Sequence, residues 1–186
     1  ASWVPPAGRY HVQHWFAFRA RCEMSLHAGT AAGLFDATAP DFAALKKSLL
    51  LRVVNARNEA NWLRGRLALA AAHPNLRMAR RMAKALSREG APYATASAGL
   101  LRAAIAAQTA APEQAILMLR ATIDSADQPG AGLLLHAAAA RRRLGEILGG
   151  EEGADFIAAS DAAMTAQGIA HPARMAEVYA PGFPPR

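Results

Sequence analysis

Apolar positions along this chain recur at spacings of three and four, and the recurrences are cut apart by proline, glycine and histidine–proline steps. The clearest stripe is Leu49, Val53, Ala56, Ala60, Leu63 and Leu67. It predicts one long helix between Ser48 and Ala72 with that stripe turned to a core. His73-Pro74 ends it, because proline lacks an amide donor and pushes its predecessor out of helical geometry. Asn75 is then expected to cap a helix with the stripe Leu76, Ala79, Ala83 and Leu86. A further helix follows Pro92 with Leu101, Ala104, Ile105 and Gln108 facing inward, and another opens at Pro112 with Ile116, Leu119, Ile123 and Ala126. Leu133, Ala137, Ala140, Leu144 and Leu148 mark the next, which turns at Gly149-Gly150. Glu151 and Glu152 suit the start of its successor, where the dipole favours negative charge, and Gly168 caps that helix with Ile169 packing beyond it. Upstream, a first helix is predicted from His11 to Ala28 with Gly29 as its left-handed cap. A short helix follows over Ala31–Ala37, and Thr38 with Asp41 reads as a capping box.

Three segments result. Residues 1–10, with Pro5, Pro6 and Gly8, read as a linker or entry loop, residues 11–180 as a helical repeat domain, and residues 181–186 as a C-terminal tail. His171-Pro172 opens a last short helix before that tail. The longer helices stop near Gly29, His73, Ala111 and Gly149, and their partners near Gly90, Gly130 and Gly168, a period of roughly 40 residues. Helix pairs at that period predict an all-α solenoid of tetratricopeptide-like hairpins, about four pairs plus a short capping helix. An up-and-down bundle would show the same periodicity.

Composition agrees. Of 186 residues, 48 are alanine and only 17 are Val, Ile or Thr, which argues against a β-rich fold. Cys22 is the single cysteine, so no internal disulfide forms, and a reducing, cytoplasmic setting is expected. Apolar runs such as Leu67 to Ala72 fall far short of the roughly 20 residues a membrane span needs. The chain opens Ala-Ser-Trp rather than with Met and reads as a fragment of something longer. Its net charge is +7, distributed as +10 over residues 1–120 and −3 over residues 121–186. A basic body of this kind attracts acidic partners or simply carries a solvated cationic surface.

Two sets of residues stand out as binding candidates. Arg77, Arg80, Arg81, Lys84 and Arg88 lie opposite the Leu76–Leu86 stripe, with Glu89 as the only relief, and form a face for an anionic partner. No aromatic residues interleave to stack bases, so nucleic acid is not the expected ligand. On the central helix, turning the core stripe inward leaves Leu51, Asn55, Asn58 and Trp62 together on the other side. In a solenoid groove the amides could pair with the backbone of an extended peptide while Trp62 supplies apolar contact. Arg52 could add charge there, and so could Arg102. The alternative is that this side packs on a neighbouring helix.

Chemistry is otherwise sparse. His11 and His14, with Cys22 two turns on, lack the further ligands of a structural zinc site, so neither metal nor cofactor is expected. The six histidines are scattered, and no G-x-S-x-G or H-E-x-x-H motif accompanies them. Gly149-Gly150-Glu151-Glu152-Gly153 is no phosphate loop, because no Gly-Lys-Ser/Thr follows and two glutamates repel phosphate.

A resemblance attaches to particular segments. Arg142-Arg143-Leu144-Gly145-Glu146, Leu148 through Gly153, Asp161 through Met164, Ala166-Gln167-Gly168-Ile169, Pro172-Ala173-Arg174-Met175 and Ala180-Pro181-Gly182-Phe183 carry it, with Gln13-His14-Trp15 and Ser48 through Val53 upstream. Together they are similar to the C-terminal tetratricopeptide-like region of large bacterial serine/threonine protein kinases, common in myxobacteria, which carry a kinase domain and a central ATPase module. The chain itself lacks HRD, DFG and glycine-rich-loop motifs. The resemblance therefore implies a non-catalytic, regulatory end of a signalling protein that binds protein or peptide or the parent's other domains. Two other readings are a small-molecule sensor that gates the ATPase and, last, a nucleic-acid-binding module.

Overall fold

The computed structural model describes residues 10–184. The described residues form ten α-helices and no strand. These are α1 (Val12–Ala28), α2 (Leu34–Ala37), α3 (Ala39–Lys47), α4 (Val54–Ala70), α5 (Leu76–Ser87), α6 (Pro92–Gln108), α7 (Pro112–Ala126), α8 (Leu134–Leu148), α9 (Gly150–Thr165) and α10 (Pro172–Tyr179). The predicted linker lies outside the described residues apart from Tyr10.

From α4 to α9 every helix packs against its successor, and α4, α6 and α8 also touch one another in turn. They form an inner row, and α5, α7 and α9 lie outside it. The burial pattern follows this division. In α6, residues from Ala94 to Ala106 are buried on nearly every side, whereas α5 buries only Ala79, Met82, Ala83 and Leu86. A helix apolar all round belongs between layers, and a helix with one apolar face belongs at the surface. The C-terminal α10 packs on α8, α9 and α1, and α1 packs on α4. Thus α1 and α10 cover the inner row, with α10 also reaching α9.

Small residues set the helix spacing. Gly145 of α8 and Gly153 of α9 face each other so closely that a Cβ on either would collide with the other's carbonyl oxygen. Two helix backbones in contact bring their flanking side chains together at native packing density. Arg142 then ties the pair across the joint to Asp161 of α9.

Several predicted boundaries hold. Gly29 takes φ 74° and caps α1, Asn75 accepts the Met78 amide at 2.9 Å, and Ile169 donates to the Met164 carbonyl at 3.2 Å. Four expectations need correction. The helix predicted from Ser48 begins only at Val54, because residues 50–52 form a 3₁₀ turn and Val53 is extended. Leu49 and Val53, placed in the core stripe by their spacing, are 68% and 57% exposed. Nor does Thr38 open a capping box: its hydroxyl donates backwards to the Leu34 carbonyl at 2.6 Å, closing α2 instead of starting α3. Finally, residues 181–184 do not project as a free tail. Pro181 is buried, and Phe183 packs against two core clusters.

Candidate functional site

The inner row converges on a buried group of aromatic and polar side chains. Trp62 of α4 stacks on His136 of α8 with ring centroids 4.9 Å apart. Tyr179, at the end of α10, meets both rings edge-on at 5.2 and 5.1 Å. Such edge-to-face pairs add to the stabilisation from burial alone. The Arg66 guanidinium lies 4.0 Å from the Trp62 centroid, one helical turn beyond it. Ser97 of α6 and His136 Nε2 are 3.1 Å apart. Burial first, and then the Arg66 charge, push the His136 pKa down to about 4, so the imidazole is neutral at physiological pH.

The two strongest charges inside this region hold the C-terminal segment. Arg66 Nη1 donates to the Val178 carbonyl at 2.8 Å, and its Nη2 pairs with Glu23 of α1 at 3.2 Å. Burial lowers the Arg66 pKa from its ordinary value, opposed by Glu23. Arg143 Nε donates to the Ala180 carbonyl at 2.8 Å. Burial works against the Arg143 charge, but Glu177 and Glu146 outweigh it and hold the pKa above its ordinary value. The Gln108 amide at the end of α6 donates to the Gly182 carbonyl at 2.7 Å. One side chain from each inner helix therefore grips the carbonyl of residue 178, 180 or 182. A guanidinium donor at the C-terminal end of α10 also complements that helix's dipole.

The sequence-predicted groove residues divide. Asn58 and Trp62 are buried and share the inner face of α4, but the group of four does not assemble. Leu51 and Arg52 sit in the 3₁₀ turn before α4, with Leu51 packed toward the α1–α3 core and Arg52 exposed. Asn55 is exposed in the first turn. For Leu51 and Arg52 the error follows from extending the helical wheel across residues 48–53, which are not α-helical; Asn55 is in register but too near the helix start to be covered. Arg102 is exposed and donates to Ser87 of α5 at 2.7 Å, away from the inner row. Both amide atoms of Asn58, Trp62 Nε1 and the Tyr93 hydroxyl are buried with no hydrogen-bond partner among the described residues. Asn58 accordingly does not bond to a peptide backbone in this conformation, whereas Gln108, assigned by its spacing to a core stripe, does.

The anionic-partner candidates Arg77, Arg80, Arg81 and Lys84 lie exposed on the outer helix α5, and Arg88 lies exposed at its C-cap. Among the described residues none of the five forms an ion pair. Glu89, expected to relieve them, is engaged by Arg57 at 3.1 Å. His14 Nδ1 accepts the His11 amide at 3.0 Å, so this pair caps α1. No cluster of three or more potential metal ligands occurs among the described residues, and no described helix is long and apolar enough to cross a membrane.

Sequence reasoning missed Arg66, Gln108 and Arg143 as a set. One clue was present for Arg66, since Asn58, Trp62 and Arg66 continue a single four-residue series. Arg143 is one of three consecutive arginines, and nothing local distinguishes it from Arg141 and Arg142. No protein-family model, curated protein or solved structure matches the chain.

Proposed function

We propose that this chain is a non-catalytic, solenoid-like helical module that binds a polypeptide segment by its main-chain carbonyls along its inner row, as the regulatory or scaffolding end of a bacterial kinase/ATPase signalling protein. The observation that carries the reading is the grip of Arg66, Gln108 and Arg143 on the carbonyls of Val178, Ala180 and Gly182. Side chains that bond to main-chain carbonyls hold a segment by its backbone, whatever its sequence, and adjacent pockets for side chains then supply selectivity. In this conformation the chain's own C-terminal segment is the occupant. The resemblance to kinase C-terminal regions supports a regulatory role, because such a module acts by holding a partner or a neighbouring domain. Its cytoplasmic setting belongs to the same reading.

Selection from a random-peptide display library tests it. Peptides recovered on the wild-type chain should lose binding on Gln108→Ala, a change at a half-buried helix end that leaves the inner core intact. A library that yields no Gln108-dependent binder refutes the reading.

The sensor reading is favoured by one observation. A cavity of about 370 Å³ lies beside Trp62, Arg66 and Tyr179, with Arg19 and Glu23 on its α1 wall. That volume falls within the range of small-molecule sites. A metabolite that raises the melting temperature of the wild-type chain but not of Arg19→Ala would support it.

A further inference from the structure

The C-terminal segment shows more than where a polypeptide lies; it also shows which side chains the inner row accepts. Tyr179 fills a slot whose walls are the Trp62 and His136 rings. Ala180 is 2% exposed, so its position takes only a small residue. Gly182 has φ +83°, and a Cβ there would sit 2.9 Å from the Leu69 carbonyl oxygen, Leu69 Cβ and Gln108 Nε2. A larger residue is excluded both by backbone conformation and by space. Phe183 lies 5.3 Å from the Arg143 guanidinium, a cation–π contact. Pro184 is exposed, so selection ends there.

The segment does not fill the space open to it. Cavities of about 630 and 500 Å³ flank it, and Phe183 and Pro184 line both. An incoming chain can gain contact beside the bound segment before displacing it. An emptied groove would leave the buried Arg66 and Arg143 guanidinium groups short of acceptors, which is costly. Whatever replaces the segment must therefore present carbonyls at the same alternate positions.

Building on the peptide-binding reading, the geometry points to a partner of defined chemistry. It is a segment of another protein, a helix end running into a turn, that carries the pattern aromatic–small–proline–glycine–aromatic and exchanges with Tyr179–Phe183 of this chain. The tethered segment competes at an effective concentration in the millimolar range for a short linker. An external peptide consequently binds the resting chain only in proportion to the fraction of molecules whose groove is open.

The test uses the full chain and a labelled synthetic peptide of residues 178–184. Gly182→Val displaces the internal segment by steric conflict, and Phe183→Ala weakens it without altering its backbone conformation. Far-UV circular dichroism and the melting temperature establish that each variant is folded. Both variants should bind the peptide at least about tenfold more tightly than wild type, and the same peptide with valine in place of its glycine should not bind. Folded variants that bind the peptide no better than a scrambled control overturn the proposal. So does dimerisation of the wild-type chain through exchanged C-terminal segments, which would make a second copy the occupant. Gln108-dependent library peptides that lack the pattern would overturn this inference and leave the broader reading intact. A library with no binder would end both.

Discussion

Burying a neutral His136 should make this protein progressively less stable as the pH falls from 7 toward 4. The ring is 7% exposed, stacked on Trp62, paired with Ser97 and placed near the Arg66 charge, with Tyr93 and Tyr179 as its other neighbours. Burial and then Arg66 bring its pKa from the ordinary 6.5 down to about 4. The unfolded chain takes up the proton near pH 6.5, while the folded chain resists it until about pH 4. Between those values the unfolded state binds more protons, so stability falls as pH falls. At about 1.4 kcal/mol per pKa unit, the full span corresponds to roughly 3 kcal/mol, of which about 2 kcal/mol is lost between pH 7 and pH 5. Urea unfolding followed by circular dichroism from pH 7.5 to 4.5 measures it, with His136→Gln as reference. Other groups titrate alike in both proteins, so the difference between the two curves isolates the histidine. Parallel curves, or an NMR titration of the ring with a midpoint near 6.5, would refute the argument.

Gly145→Ala should destabilise by about 2–3 kcal/mol despite alanine's better helix propensity, worth about 1 kcal/mol, because the added methyl meets the Gly153 carbonyl and lies 2.8 Å from Ile157 Cγ1; thermal unfolding reads the sign. Arg66→Ala should cost about 3 kcal/mol by stranding the Val178 carbonyl. The partly exposed Arg19→Ala should cost under about 1 kcal/mol, and equal losses in denaturant titrations would count against this ranking. Cys22 is fully buried, and burial raises its thiol pKa to about 11. It should react with a thiol-specific reagent only as fast as the chain opens, and rapid labelling of the native protein would show that its site is open.

The positions of helices and turns were largely legible along the chain, because their causes are local. Pro74 and Pro112 interrupt or open helices through backbone geometry, Asn75 caps through its own side chain, and Gly29 supplies a left-handed cap. The prediction failed where locality failed. Residues 48–53 keep a helical spacing of apolar letters, yet the chain turns there, so Leu51 leaves the face of Asn58 and Trp62, while Asn55 keeps that face but lies exposed in the first turn of α4.

What the sequence by itself determined is an alanine-rich, all-helical chain with a basic N-terminal two-thirds and a cationic outer face on α5. Its periodicity specifies which side of a helix is apolar but not whether the opposite side is also covered. Only the tertiary structure decided that α1 and α10 cover the inner row, burying Asn58, Trp62, Arg66, His136 and Arg143. Residues 66 and 178, and residues 108 and 182, are far apart in sequence and bond through backbone carbonyls that every residue possesses. Such contacts leave little trace in the pattern of side chains, because the chemistry being recognised is the main chain itself. The site could therefore emerge only once the helices had been packed.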